Sequence, residues 1–169
     1  RRSLRYKDLV DLVFRKKMAQ KTDEAIADEL KRKGHMAFTW EDLDKIELPS
    51  GIITSMFKVG DPLDETSPTV FKVFYPPECY VEAHTHDCDY TEIIIEGSQR
   101  VGATWHKAGD IRIGMANRGY GPLVAGPEGT TVLFMFKDGR WPAITLGNND
   151  GATLGGNVIS DHFDKINSA

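Results

Sequence analysis

The stretch "HTHDCDYTEIIIEG", His84 to Gly97, holds two histidines two residues apart, a cluster of acids, and an apolar run closed by Glu-Gly. Alternate side chains of a strand share a face, so on extended backbone Tyr80, Glu82, His84 and His86 point one way, and Val81, Ala83 and Thr85 the other. Two imidazoles on one face can grip one ion. If the chain turns through residues 87–89 and returns as "YTEIII", the returning strand presents Tyr90, Glu92 and Ile94. A carboxylate there completes two histidines and an acid, with positions left open for water or substrate. Such openness marks a catalytic site, because a structural site closes all four positions. The competing reading is an exposed turn that holds two imidazoles by chance. The β-run before the pair, the acid at hairpin distance and the Gly at the end of the next run favour the metal.

The surroundings are β-rich. From Gly51 onward, "IITSMFKV", "TVFKVFY", "CYVEAHTH", "YTEIII", "SQRVGATWH", "DIRIG" and "TTVLFMF" are separated by Gly- and Pro-bearing turns. Seven runs at this spacing predict an all-β sandwich or barrel, and no helical pattern interrupts them as a parallel βαβ sheet would require. The first 50 residues read helical instead. Tyr6, Leu9, Val10 and Val13 recur at helical spacing, and "TDEAIADELKRKG" carries Thr22 as cap, acids in its first turn, bases in its last and Gly34 as stop. In "TWEDLDKI", Thr39 and Asp42 have capping-box spacing. The expected organisation is a helical segment over 1–50 packing on the barrel or on a partner, a barrel over 51–145, and a loop with a short helix, "NVISDHFDKI", over 146–169.

With the β pattern in place, the quoted stretch resembles the first motif of the cupin superfamily: two His separated by one residue, a Glu a few residues on, and a Gly ending the strand. "AGDIRIGMANRGYGPLVAGPEG" is similar to the second motif, and the likeness covers about residues 70 to 137. It implies a mainly β fold, a cupin-type jelly-roll barrel behind an N-terminal helical segment, binding one divalent metal per chain. Against the family pattern, the usual Glu position falls on Tyr90, and the nearest acid on the same face is Glu92. Glu92 is the expected carboxylate ligand, with Asp89 as fallback. The usual second-motif His position is Tyr120. Three readings of that departure stand open: Tyr120 coordinates or hydrogen-bonds a metal-bound species, His106 supplies an imidazole from the preceding strand, or Tyr120 packs in the barrel and water completes the site.

Weaker candidates surround these. Arg112 could point into the barrel and hold a substrate carboxylate through its planar fork, and Tyr90 joins it on the substrate side; Arg100 has the same two readings, inward or solvated. Glu82 could fix a histidine tautomer from its place on the same face. Trp105, Phe134, Met135 and Phe136 read as core. Cys79 and Cys88 are too few for a disulfide framework and read as reduced thiols.

Composition sets bounds on function. At 169 residues, with 40% hydrophobic and 27% charged residues, the chain fits one ordinary globular domain. Residues 1–34 carry eleven Lys/Arg against six Asp/Glu and the remainder ten against nineteen, so a basic arm precedes an acidic body. Its basic residues are not interleaved with aromatics, which argues against nucleic acid. No run reaches the length of a membrane span, and the first residues lack a signal peptide's apolar core, so a cytoplasmic location is expected. The sequence contains no phosphate loop, G-x-S-x-G elbow or CxxC pair. The expected function is a small metal-dependent enzyme, a non-haem Fe(II) oxygenase of the dioxygenase type acting on a small organic substrate, with Mn, Ni or Zn as other metals. Tyr120 and Glu92 are its catalytic candidates. The alternatives are a metal-dependent isomerase or lyase, and a non-catalytic small-molecule sensor. Amphipathic helices ahead of a barrel with open edges predict a homodimer.

Overall fold

A computed structural model describes residues 22–48 and 50–146. The expected helix around Tyr6 to Val13 and the expected C-terminal helix lie outside the described residues. Helix α1, Asp23–Lys33, starts where its sequence signals it should: the Thr22 side chain accepts from the Ala25 N–H, and Gly34, in the left-handed region at φ 74°, returns its N–H to Leu30 O. A single 3-10 turn, Trp40–Asp42, is closed by Asp42, whose carboxylate accepts from the backbone N–H and the hydroxyl of Thr39. Trp40 and Phe38 pack on Phe57, with ring centroids 5.5 and 5.3 Å away.

Among the described residues ten strands follow, all antiparallel: β1 Ile46–Glu47, β2 Ile53–Lys58, β3 Thr69–Tyr75, β4 Tyr80–Val81, β5 His84–Thr85, β6 Tyr90–Val101, β7 Thr104–Lys107, β8 Ile111–Gly114, β9 Leu123–Phe136 and β10 Ile144–Thr145. Eight form one curled sheet in the order β1-β2-β3-β9-β6-β7, with β8 beside β6 and β4 beside β9. β5 and β10 form a separate pair, extended by a bridge between His84 and Tyr120. This is a mainly β jelly roll. Its core lies between the layers, where Phe71, Val73, Cys88, Tyr90, Ile94, Val132, Phe134 and Phe136 form one buried cluster. Alternation along β9 turns Phe134 and Phe136 inward and leaves Met135 42% exposed, and Trp105 is 56% exposed. Both were expected in the core and lie on the outer surface.

Two strand boundaries differ from the sequence pattern, and both matter for the site. "CYVEAHTH" is not one strand: the chain leaves β4 at Val81 and joins the other layer as β5. "YTEIII" and "SQRV" are not two strands but one, β6, with register shifts at Ile94/Glu96 and Gly97/Gln99. Gly97 permits this continuity. It adopts φ 72°, and a Cβ added there would stand 2.1 Å from the Gly129 carbonyl oxygen, so only glycine lets β6 and β9 approach. The shifts also reverse which residues point inward. Tyr90, Glu92 and Ile94 are buried before the irregularities and Gln99 after them.

Candidate metal centre

His84 and His86 sit on and just after β5, with 6% and 5% exposure. Each ring is fixed through Nδ1: that of His84 donates to the Glu82 carbonyl at 2.8 Å, and that of His86 to the Trp141 carbonyl at 2.6 Å. Both Nε2 lone pairs are thereby directed away from the backbone, the tautomer that a metal-ligating histidine needs. They converge on one atom. The Tyr120 hydroxyl lies 2.7 Å from Nε2 of His84 and 3.2 Å from Nε2 of His86. The bridge that holds Tyr120 there is backbone pairing with His84 in both directions at 3.0 Å. Tyr90 completes the cluster, its ring 5.0 Å from that of His86 and 5.7 Å from that of Tyr120. Space for that ring exists because residue 114 is glycine; a Cβ there would meet the Tyr90 ring at 2.1 Å.

Glu92 is elsewhere. It is fully buried on β6, opposite Arg112 of β8, and its Oε1 lies 2.8 Å from Arg112 Nη1 and 2.5 Å from Gln99 Nε2. Among the described residues no three His, Cys, Asp or Glu side chains come together as a metal-binding group. The expected set of two histidines and the Glu92 carboxylate is therefore not assembled, and the topology explains why. β5 pairs with β10 rather than with β6, so no hairpin register brings Glu92 beside the histidines; Tyr90, two residues nearer the turn, occupies that place. Asp89, the fallback, accepts from the Ala116 N–H and faces Lys137. His106 lies on β7 across from Gln99.

The substrate-side candidates do face inward. Arg112 lies 5.0 Å over the Tyr120 ring with its side chain 20% exposed. Arg100 instead donates to the Gly102 carbonyl. Glu82 is exposed and serves His84 through its backbone carbonyl, not its carboxylate. Cys88, 1% exposed, belongs to the core cluster. Two partners were not foreseen. Gln99 was concealed by the reversal of facing in β6, and the Trp141 carbonyl has no side-chain signal at all.

Burial governs the charges. It pushes the His86 imidazole down to about 4, with the neighbouring His84 adding to the effect, and lowers His84 too. It raises the Tyr90 phenol to about 12 and that of Tyr120 well above the ordinary value. It also raises Glu92, outweighing the attraction of Arg112. Arg112 Nη1 has no aligned acceptor despite its 2.8 Å approach, and Glu92 Oε2 and Gln99 Oε1 have no donor. The guanidinium meets Glu92 as a close ion pair that leaves Glu92 Oε2 without a partner.

A stability prediction follows from the histidines. Between the ordinary 6.5 and about 4 the unfolded chain binds a proton at His86 that the folded chain refuses. Metal-free protein should therefore lose stability as pH falls through that window, by up to about 3 kcal/mol from this residue. Glu92 acts in the opposite sense, so the histidine part is read as a difference. Denaturant midpoints of chelator-treated protein should fall less steeply with acid in His86→Phe than in the wild type. Equal slopes would refute the assignment.

The spacing of the donors suits a metal ion. Two atoms that both bind one ion at about 2.1 Å stand roughly 3 Å apart when they subtend a right angle. The Tyr120 oxygen, at 2.7 and 3.2 Å from the two nitrogens, has that spacing. The phenol oxygen thus stands at a co-ligand's spacing from each imidazole, while Glu92 lies outside the group.

This fold is shared with known proteins. The chain resembles an RmlC-like cupin from Ralstonia eutropha, with 13% identity and a TM-score of 0.59, over 80% of this chain and 88% of that one. An RmlC-like cupin from Shewanella frigidimarina matches with 16% identity and a TM-score of 0.51, over 60% of this chain and 88% of that one. A tryptophan variant of oxalate decarboxylase from Bacillus subtilis matches with 22% identity and a TM-score of 0.57, over 77% of this chain; the chain spans 37% of that protein's length. No family model matches, and no curated protein matches in sequence. The fold is a cupin jelly roll. Among the described residues, no helix is long and apolar enough to cross a membrane.

Proposed function

We propose that the chain is a metal-dependent cupin enzyme that acts on a small organic molecule at the His84/His86 centre. The observation that carries this reading is the pair of imidazoles, each tied through Nδ1 to a backbone carbonyl and aiming its Nε2 lone pair at one point. A bound metal ion would supply Lewis-acid or redox chemistry there. The remaining roles fall to side chains. Tyr90, held protonated up to about 12, donates a hydrogen bond to a substrate oxygen throughout the neutral range. Arg112, paired with Glu92 at 2.8 Å and with its side chain 20% exposed, can offer the rest of its fork to a substrate carboxylate while Glu92 keeps it inside the barrel.

The B. subtilis oxalate decarboxylase has Mn(II) centres. In this chain the argument for Fe(II) rested on a carboxylate ligand, and with Glu92 engaged by Arg112 the donors suit Mn, Fe, Ni or Zn alike. Elemental analysis of protein purified without added metal should find about one such ion per chain. A screen of small carboxylates and hydroxylated molecules, run with and without O₂ on Fe(II)-loaded protein, then separates the chemistries. Turnover that needs O₂ marks an oxygenase; turnover without it marks an isomerase or lyase. Ligand binding with neither metal nor turnover would replace the enzyme reading with the sensor.

A further inference from the structure

Two imidazole lone pairs face a hydroxyl that carries one hydrogen. With both Nδ1 atoms engaged on carbonyls, the Tyr120 O–H can satisfy Nε2 of His84 at 2.7 Å or of His86 at 3.2 Å, but not both. An acceptor left over among buried side chains is costly. Exchanging that hydrogen for a cation satisfies all three atoms together. We propose that Tyr120 is the third protein ligand of the metal, bound through its phenolate oxygen, and that the centre accordingly favours a hard, highly charged cation of the ferric class. This rests on the metal reading above and adds to it the donor and the class of ion.

Three further observations agree. The Arg112 guanidinium lies 5.0 Å over the Tyr120 ring, where its positive charge stabilises a phenolate. The Tyr90 ring lies 5.7 Å from that of Tyr120, so a second phenol borders the same centre. The carboxylate that would otherwise fill the third position, Glu92, is held by Arg112 and Gln99. Anionic oxygen donors match hard cations. Before an ion arrives Tyr120 keeps its hydrogen, which faces the two imidazole acceptors. Binding therefore breaks the O–H bond, forms an O–metal bond and releases one proton to solvent. Iron enters already ferric, so no oxidant is required.

The test uses the intact chain and ferric iron supplied as its citrate complex, followed by visible spectroscopy and by iron content after desalting. The wild type should bind one iron per chain and develop a visible phenolate-to-iron charge-transfer band. Tyr80→Phe, at an exposed tyrosine outside the centre, should keep that band, and Tyr120→Phe should lose it with an unchanged far-UV circular dichroism spectrum. Tyr120→His, which offers a third imidazole, should retain iron without colour, so the result stands even if the phenylalanine variant folds poorly. A band that survives Tyr120→Phe, or one iron per wild-type chain with no band, overturns this inference and leaves the metal reading intact. Failure to bind iron, manganese or zinc at all overturns both.

Discussion

Replacing His84 and His86 together by alanine is expected to reduce metal content from about one ion per chain to background while the barrel still folds. Each imidazole is positioned by a carbonyl acceptor, and even loss of such a supporting contact costs 10- to 100-fold in affinity elsewhere. Loss of both ligands should cost well over ~100-fold. The fold should survive because the core cluster on β3, β6 and β9 contains neither residue. The same variant carries a second readout. It lacks the two imidazoles that burial holds neutral, so the metal-free protein should show a flatter loss of stability below pH 6.5. Elemental analysis and acid denaturation on one preparation check both. Full occupancy in the double variant would place the metal at another site.

Much of this centre was legible in the chain, and the part that was not has physical causes. The HxH pair is local: two residues of extended backbone share a face whatever the sheet does, and His84 and His86 are found together. The motif likeness also pointed at Tyr90 and Tyr120 as the residues standing where the family usually has Glu and His. The structure puts both tyrosines against the histidines. The assignment of Glu92 relied on a longer step, a hairpin between the histidine strand and "YTEIII". Strand pairing is non-local, and the chain changes layer at residues 82 and 83, so β5 finds β10 instead. Facing within a strand suffers likewise from bulges. Strict alternation from Tyr90 would put Gln99 outside, yet it is fully buried. Capping, by contrast, is set within four residues, and Thr22, Gly34, Thr39 and Asp42 act as the sequence signals.

Glu92, the acid expected at the metal, stands instead as the counter-charge of Arg112. This pair should carry the largest single-residue effect on stability. In Arg112→Met a carboxylate with no exposed surface loses its paired cation and keeps the Gln99 amide as its hydrogen-bond partner. Removing one partner of a buried pair costs about 3–5 kcal/mol, because the survivor is left charged in a poor solvent. The deficit should be greatest above neutral pH. Burial already raises the Glu92 carboxyl, and loss of Arg112 raises it more, so acid restores the neutral form and shrinks the difference. Adding Glu92→Gln to Arg112→Met removes the stranded charge, and the double variant should recover most of the lost stability, a coupling of about 2 kcal/mol or more by denaturant titration. Additive losses would mean that the carboxylate is not paired with Arg112, and would return Glu92 to the list of possible metal ligands.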